Sequence, residues 1–285
     1  DNSGGNFYVN RDTETYVAWN WKAGGAPTAD NSAGVGAVPT SGSVKIDGSN
    51  LGSALAGTIA ATKISANTTS GFSIIGYTGT AIAGTVAHGL SEAPDMVIAK
   101  ERSGASTANW IVGVIQDPMN FTDYLALNSS NNYGDVPYWN DSAPTASVFS
   151  IGTSHDINES GGTYVAYCFH SVEGYSKVGS YKGNSNADGP FIYTGFKPAY
   201  IMQKNMDAVD TQWNIWDVKR DTYNVSEKRL LANDNSAELD GYTDVDILSN
   251  GFKWRRSSGD FNTSGDNRGL FIAFASHPFK YSNAR

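Results

Sequence analysis

Apolar positions along this chain come in short alternating runs, cut by Gly, Ser, Thr, Asn and Asp. The clearest run is Thr163-Tyr-Val-Ala-Tyr-Cys-Phe-His170. Aromatic and β-branched residues fit a pleated, half-buried surface, so this run predicts a strand. A near copy, Thr15-Tyr-Val-Ala-Trp-Asn-Trp-Lys22, stands early in the chain, and a looser one, Leu270-Phe-Ile-Ala-Phe-Ala-Ser-His277, stands late. Tyr16, Val17, Ala18 and Trp19 align with Tyr164, Val165, Ala166 and Tyr167, and with Phe271, Ile272, Ala273 and Phe274. The alanine marks a place where layers approach closely. Three copies predict three strands, and their recurrence shows how the chain divides into units.

The intervening sequence repeats as well. Phe72–Gly79 matches Tyr175–Gly183 with one inserted residue, and Pro94–Lys100 matches Pro198–Lys204. Asn109-Trp matches Gln212-Trp, Tyr124–Asn128 matches Arg229–Asn233, and Asn158–Gly161 matches Asn262–Gly265. Ser147–Gly152 corresponds loosely to Asp246–Gly251. His170 and His277 fall at equivalent places in the motif, where a structural role at a turn is expected. The order is the same throughout, so residues 71–174 and 175–285 read as a duplicated pair of units. Strand runs over 72–77, 95–100, 109–115, 124–128, 147–151 and 163–170, with their counterparts, give each unit roughly seven or eight short antiparallel strands. The predicted class is all-β: two duplicated sandwich or jelly-roll-like units, closely packed because no flexible linker separates them.

Two stretches precede the pair. Residues 1–37 contain the early motif copy followed by loop material, and read as the terminal strand of an upstream or shared unit. The chain looks cropped or processed, since it begins with Asp1 and carries no signal peptide. Residues 38–70 are rich in Gly, Ser and Ala, with single aliphatics at Val44, Ile46, Leu51, Leu55, Ile59 and Ile64. That is too sparse for a core of their own. Such spacing suits an extended strap, or a shaft in which three chains share a narrow core; a flexible linker is the plain alternative.

Composition narrows the chemistry. With 28 carboxylates against 20 cations, the chain lacks the basic face a nucleic-acid binder needs. No apolar run is long enough for a membrane helix. The single cysteine, Cys168, lies inside the motif and reads as a small buried residue, so no intramolecular disulfide forms. The histidines His88, His155, His170 and His277 show no metal spacing, and no nucleophile elbow or phosphate loop is present. The oxygen-rich run Asn233-Asp234-Asn235 with Asp240, Gly241, Asp244 and Asp246 fits no familiar calcium loop. No catalytic residue, metal or cofactor is therefore assigned.

Aromatic residues near loops, Tyr133, Tyr138, Trp139, Trp213, Trp216 and Trp254, are the remaining signal. Trp110 and Trp213 are duplicated, which favours a core role for both. The stretch Tyr133-Gly-Asp-Val-Pro-Tyr-Trp-Asn-Asp141 has less of a counterpart in the second unit. Its Tyr133, Tyr138, Trp139, Asn140 and Asp141 are the candidate ligand-binding residues, rings for the apolar face of a sugar and side-chain oxygens and amides for its hydroxyls.

The runs at 16–24, 71–79, 93–100, 163–169, 189–196, 219–224 and 277–285 together resemble a family of large virion proteins, the tail-fibre-like proteins of tailed phages that infect marine bacteria. Residues 38–70 fit that pattern least well. The resemblance carries over no catalytic or binding residue. It implies a structural and adhesive component of a fibre or appendage on the virion surface, outside the cell. Its partners would be itself, as a homotrimer, other virion proteins, and host surface carbohydrate, with no nucleic acid and no membrane insertion. A lectin-like adhesin outside any virus and a polysaccharide-degrading enzyme are the alternatives.

Overall fold

The computed structural model describes residues 12–103, 108–263, 265 and 267–279. The first unit contains β1 (Val44–Ile46), β2 (Ser49–Asn50), β3 (Ala61–Asn67), β4 (Phe72–Thr78), β5 (Gly84–Ala87), β6 (Met96–Ser103), β7 (Ile111–Val114), β8 (Leu125–Ala126), β9 (Val148–Ile151), the single-turn α1 (His155–Asn158) and β10 (Thr163–Phe169). The second contains β11 (Ser176–Lys182), β12 (Phe191–Tyr193), β13 (Pro198–Asn205), β14 (Asn214–Asp217), β15 (Leu230–Leu231), β16 (Val245–Leu248), β17 (Gly251–Trp254) and β18 (Arg268–Ala275). The fold is all-β, as predicted. One five-strand order occurs twice, β4-β10-β6-β7-β8 and β11-β18-β13-β14-β15, and the first sheet is widened to eight strands by β3, β1 and β2.

The motif strands are central in both sheets and apolar on both faces, and this produces four layers. On one face of β10, Tyr164, Ala166 and Cys168 meet Val86, Phe149 and Ile151 of the small β5-β9 sheet. On one face of β18, Phe271, Ala273 and Ala275 meet Ile192, Val245, Phe252 and Trp254 of the β12-β17-β16 sheet. Each unit is thus a two-sheet sandwich. The remaining faces turn to each other: Tyr167 and Phe169 pack in one cluster with Met202, Ile215, Ile272 and Phe274. A strand buried on both sides cannot carry the polar alternation of a surface strand.

The duplicated polar residues prove to be braces. Tyr77 and Tyr181 donate their hydroxyls to Ile157 O at 2.8 Å and Phe261 O at 2.6 Å. Asn158 binds Thr80 N–H and the carbonyls of Ile82 and Gly152, and Asn262 binds Asn184 N–H and the carbonyls of Asn186 and Arg256. Asp156 and Asp260 accept from the amides of Asn109 and Gln212, and Asn128 and Asn233 from those of Trp110 and Trp213. Lys100 and Lys204 reach the carbonyls of Ala108 and Thr211. Buried polar groups need partners, and these side chains satisfy loop backbone that the ladders leave unpaired.

The ladders also correct the repeat. Val165 pairs with Lys100 and Leu270 pairs with Lys204, so Val165 corresponds to Leu270 and Phe169 to Phe274. Alignment by motif is two residues out. A slip of two keeps every side chain on its face, so the apolar pattern does not reveal it. His170 and His277 are therefore not equivalent: His170 is buried with Nδ1 2.9 Å from Ser171 O, whereas His277 is exposed. Likewise β5 pairs with β9 and β12 with β17, so the counterpart of Val148–Ile151 is Gly251–Trp254 rather than 246–251.

Residues 12–37 contain no strand, and residues 38–70 are packed into the first unit as a strap. The early motif copy forms no strand, and its Tyr16 is 53% exposed. Its Trp21 sits among Phe72, Phe169, Tyr200 and Phe274 at ring distances of 5.4–6.5 Å, so the segment clasps both units. Residues 38–70 are neither linker nor shaft. β3 pairs antiparallel with β4, β1 pairs parallel with β3, and Val44, Leu55, Ile59 and Ile64 are spent inside the first core. Across the units, Lys204 Nζ donates to Ser130 O at 3.1 Å, Tyr133 N–H to Met206 O at 2.9 Å and Trp213 Nε1–H to Ala126 O at 2.9 Å. Among the described residues no helix is long and apolar enough to cross a membrane.

Candidate functional site

The residues expected to hold a ligand do not form a site. Trp139 is buried, its ring edge-on to Phe121 and Phe149. Gly113 leaves room for it, since a Cβ there would lie 2.5 Å from the indole. Tyr138 is buried and donates its hydroxyl to Asp156 Oδ2 at 2.6 Å. Neither ring offers a face to a ligand. Tyr133 packs against the inter-unit core, and Asn140 and Asp141 are exposed turn residues with φ of 52° and 47°. Asn and Asp tolerate that left-handed backbone, which accounts for them there. Trp213, Trp216 and Trp254 are buried too.

The acidic run does not converge either. Asp244 is buried between Arg229 and Arg256, with contacts of 3.7 and 3.3 Å, and Asp246 lies 3.5 Å from Arg255. Among the described residues no three His, Cys, Asp or Glu side chains form a metal-holding group.

A groove of about 830 Å³ lies instead where the widened first sheet extends beyond the cover of the second. Its floor comes from alternate positions of four strands: Lys63 and Ser65 of β3, Ile74 and Gly76 of β4, Val165 and Tyr167 of β10, and Lys100 of β6. Residues 23–27 form a wall, held by the Ser65 hydroxyl donating to Gly25 O at 2.6 Å and by Gly48 N–H donating to Gly24 O at 2.8 Å. Trp110 and Tyr167 stand half-buried along it, rings 6.4 Å apart and 15° from parallel. The Trp110 backbone is fixed by its amide donating to Asn128 Oδ1 at 2.9 Å.

Three cations line this groove in an otherwise acidic chain, Lys63, Lys100 and Arg102. Lys63 lies 3.0 Å from Asp30, an exposed pair that holds little energy. Lys100 is anchored by its bond to Ala108 O at 2.5 Å, while Arg102 is exposed. Glu101, between them, faces the opposite side of β6, opposite Tyr164. Burial first, and then the neighbouring Glu159 carboxyl, push its carboxyl above the usual range, and its Oε1 finds no partner among the described residues. The arrangement can pack the apolar face of a ring against aromatic side chains and bring cations to an acidic substituent. Its volume falls in the range of roughly 300–1,000 Å³ common for ligand sites.

The spacing of Lys100 and Arg102, two apart on a strand, was the available signal for this groove. So was Tyr167, which alternates with the buried Tyr164, Ala166 and Cys168. Trp110 was masked by its duplication: Trp213 is fully buried whereas Trp110 remains half-exposed. No curated protein and no solved structure matches this chain. A family does match, over residues 45–278, and the chain belongs to it: Domain of unknown function (DUF7483).

Proposed function

We propose that this chain is a structural and adhesive component of a virion appendage, exposed outside the cell, and that its groove binds carbohydrate of the host surface. The likeness of its sequence to tail-fibre-like phage proteins supports the virion part. The groove carries the adhesive part: Trp110 and Tyr167 lie in an open channel beside Lys63, Lys100 and Arg102. Hydrogen bonds and a shared aromatic core join the two units, which suits a load-bearing part. Because residues 38–70 are spent within one chain, a homotrimer would be built on other surfaces.

The test is titration of the full chain with carboxylated, sulfated and neutral oligosaccharides. Acidic sugars should bind with Kd near the micromolar-to-millimolar range typical of single shallow sites. Trp110→Ala should abolish binding, and Arg102→Ala should weaken acidic sugars by about tenfold while sparing neutral ones. Unchanged binding in both variants would remove the groove from the proposal. Shortening of the oligosaccharides during the titration would favour an enzyme.

A further inference from the structure

Duplication exposes one place where the units differ. In the first, residues 55–67 close the seam between its two sheets. The amides of Thr58 and Ile59 donate to Thr85 O at 2.9 and 3.0 Å along the edge of β5, and β3 then pairs with β4 from Ala61 opposite Tyr77 to Asn67 opposite Phe72. Leu55, Ile59, Ala61 and Ile64 fill the core beneath. In the second unit the corresponding strands, β11 and β12, each have one neighbouring strand among the described residues, β18 and β17.

The start of the β11 edge is occupied by a local turn. Ser176 bridges to Val172, and Val178 N–H donates to the Ser171 hydroxyl at 3.0 Å. Outward backbone groups recur every second residue, so Ser180 presents the next pair. Tyr77 and Tyr181 are equivalent, which makes Ser180 the counterpart of Gly76, and Gly76 is paired with Lys63 of β3. Ser180 is exposed and has no such partner among the described residues. A groove of about 210 Å³ follows this edge toward β12, lined by Gly179, Ile192 and Phe271 and flanked by Phe191 and Tyr193. These two aromatics are 45% and 58% exposed, and Lys177 Nζ holds the Tyr193 wall by donating to its carbonyl at 3.0 Å. An open strand edge beside exposed aromatic side chains is a surface that folded proteins otherwise cover.

We infer that the β11–β12 seam of the second unit accepts an extended segment of a separate polypeptide, of the kind that residues 55–67 provide in the first unit. Such a segment carries small residues where it crosses between the sheets and an aliphatic side chain to fill the groove. It pairs antiparallel with β11 through Ser180 and covers Phe191 and Tyr193. Main-chain pairing supplies affinity and the groove supplies selection, as in strand addition generally. The site is separate from the carbohydrate groove and stands without it.

The probe is a capped, fluorescein-labelled peptide with the sequence of residues 55–67, titrated with the full chain and followed by anisotropy. Saturable binding of one peptide per chain is expected. Ser180→Pro removes the outward amide at an edge position, where proline is tolerated, and should weaken binding about tenfold or more. Tyr193→Asp should weaken it as well, with thermal unfolding confirming that both variants are folded. Failure to saturate, or binding indifferent to both variants, overturns the inference. Self-association without peptide that Ser180→Pro abolishes would also overturn it, by assigning the edge to a second copy of the chain.

Discussion

Trp19 donates its indole N–H to Asp217 Oδ2 at 3.3 Å, joining residues 198 positions apart. Arg220 Nε holds the same oxygen at 2.6 Å, and its guanidinium lies 5.9 Å from the Trp19 ring centroid. Burial opposes the charge on Asp217, yet the bonds from Arg220 keep its carboxyl below the usual range. With Trp21 beside it among four aromatic rings, the early segment is a clasp on both units. Trp21→Ala should lower stability by about 3 kcal/mol, and Trp19→Phe, which loses the donor, by about 1 kcal/mol. Urea unfolding measures both. Silence of both variants would mean that the segment is only laid on the surface.

Asn158 and Asn262 perform the same task in the two units, each bonding one amide and two carbonyls of neighbouring loops. Alanine at either position leaves one amide and two carbonyls of partly buried loop backbone without their side-chain partner. A loss of about 2–4 kcal/mol is expected from each, of similar size because the geometry is the same. A large difference between their unfolding midpoints would show that one loop relaxes where the other cannot.

His88 is buried with Nε2 3.0 Å from Thr145 O and Nδ1 accepting from Leu90 N–H at 3.1 Å. The neutral ring with its proton on Nε2 satisfies both partners, and a second proton would face the Leu90 amide. Burial, with His170 nearby, lowers its pKa to about 4 against the opposing Thr145 carbonyl. The folded pKa lies below the unfolded one, so the unfolded chain binds the extra proton first. The His88 contribution is complete above the unfolded pKa near ~6.5 and is lost as pH falls toward about 4, with about 3 kcal/mol at stake. His88→Gln should flatten stability across that window. An unchanged slope would assign the acid sensitivity to other groups.

Cys168 is wholly buried between Ser73 and Val97 in the central strand, and burial pushes its thiol well above the ordinary range. A thiol reagent at neutral pH should therefore react only through unfolding of the first sheet. Its rate should follow denaturant as global unfolding does. Fast reaction of the native protein would show that β10 opens locally.

A strand with apolar residues on both faces can only lie between two layers. The motif at Tyr164–Phe169 and its partner at Leu270–Phe274 were legible as strands, while their place at the centre of each sheet, buried on both faces, came from the structure. Matched polar residues such as Asn128 and Asn233 marked the repeat without showing their task, since a hydrogen bond to a loop leaves no periodic trace. The candidate site was misplaced for a related reason. Trp139 stands in a polar, turn-rich stretch, yet the gap above Gly113 draws its ring into the core.

The sequence by itself determined the strand class, the duplication and the face each motif residue occupies, because side-chain alternation is local. Tertiary structure decided the register, which a slip of two residues leaves invisible on either face. It also decided that residues 15–22, with the same pattern as two central strands, form no strand: their tryptophans are held between the units by aromatic contacts. And it decided which of two equivalent tryptophans remains accessible, since Trp213 lies within the inter-unit core while Trp110 lies where that cover gives way to the groove.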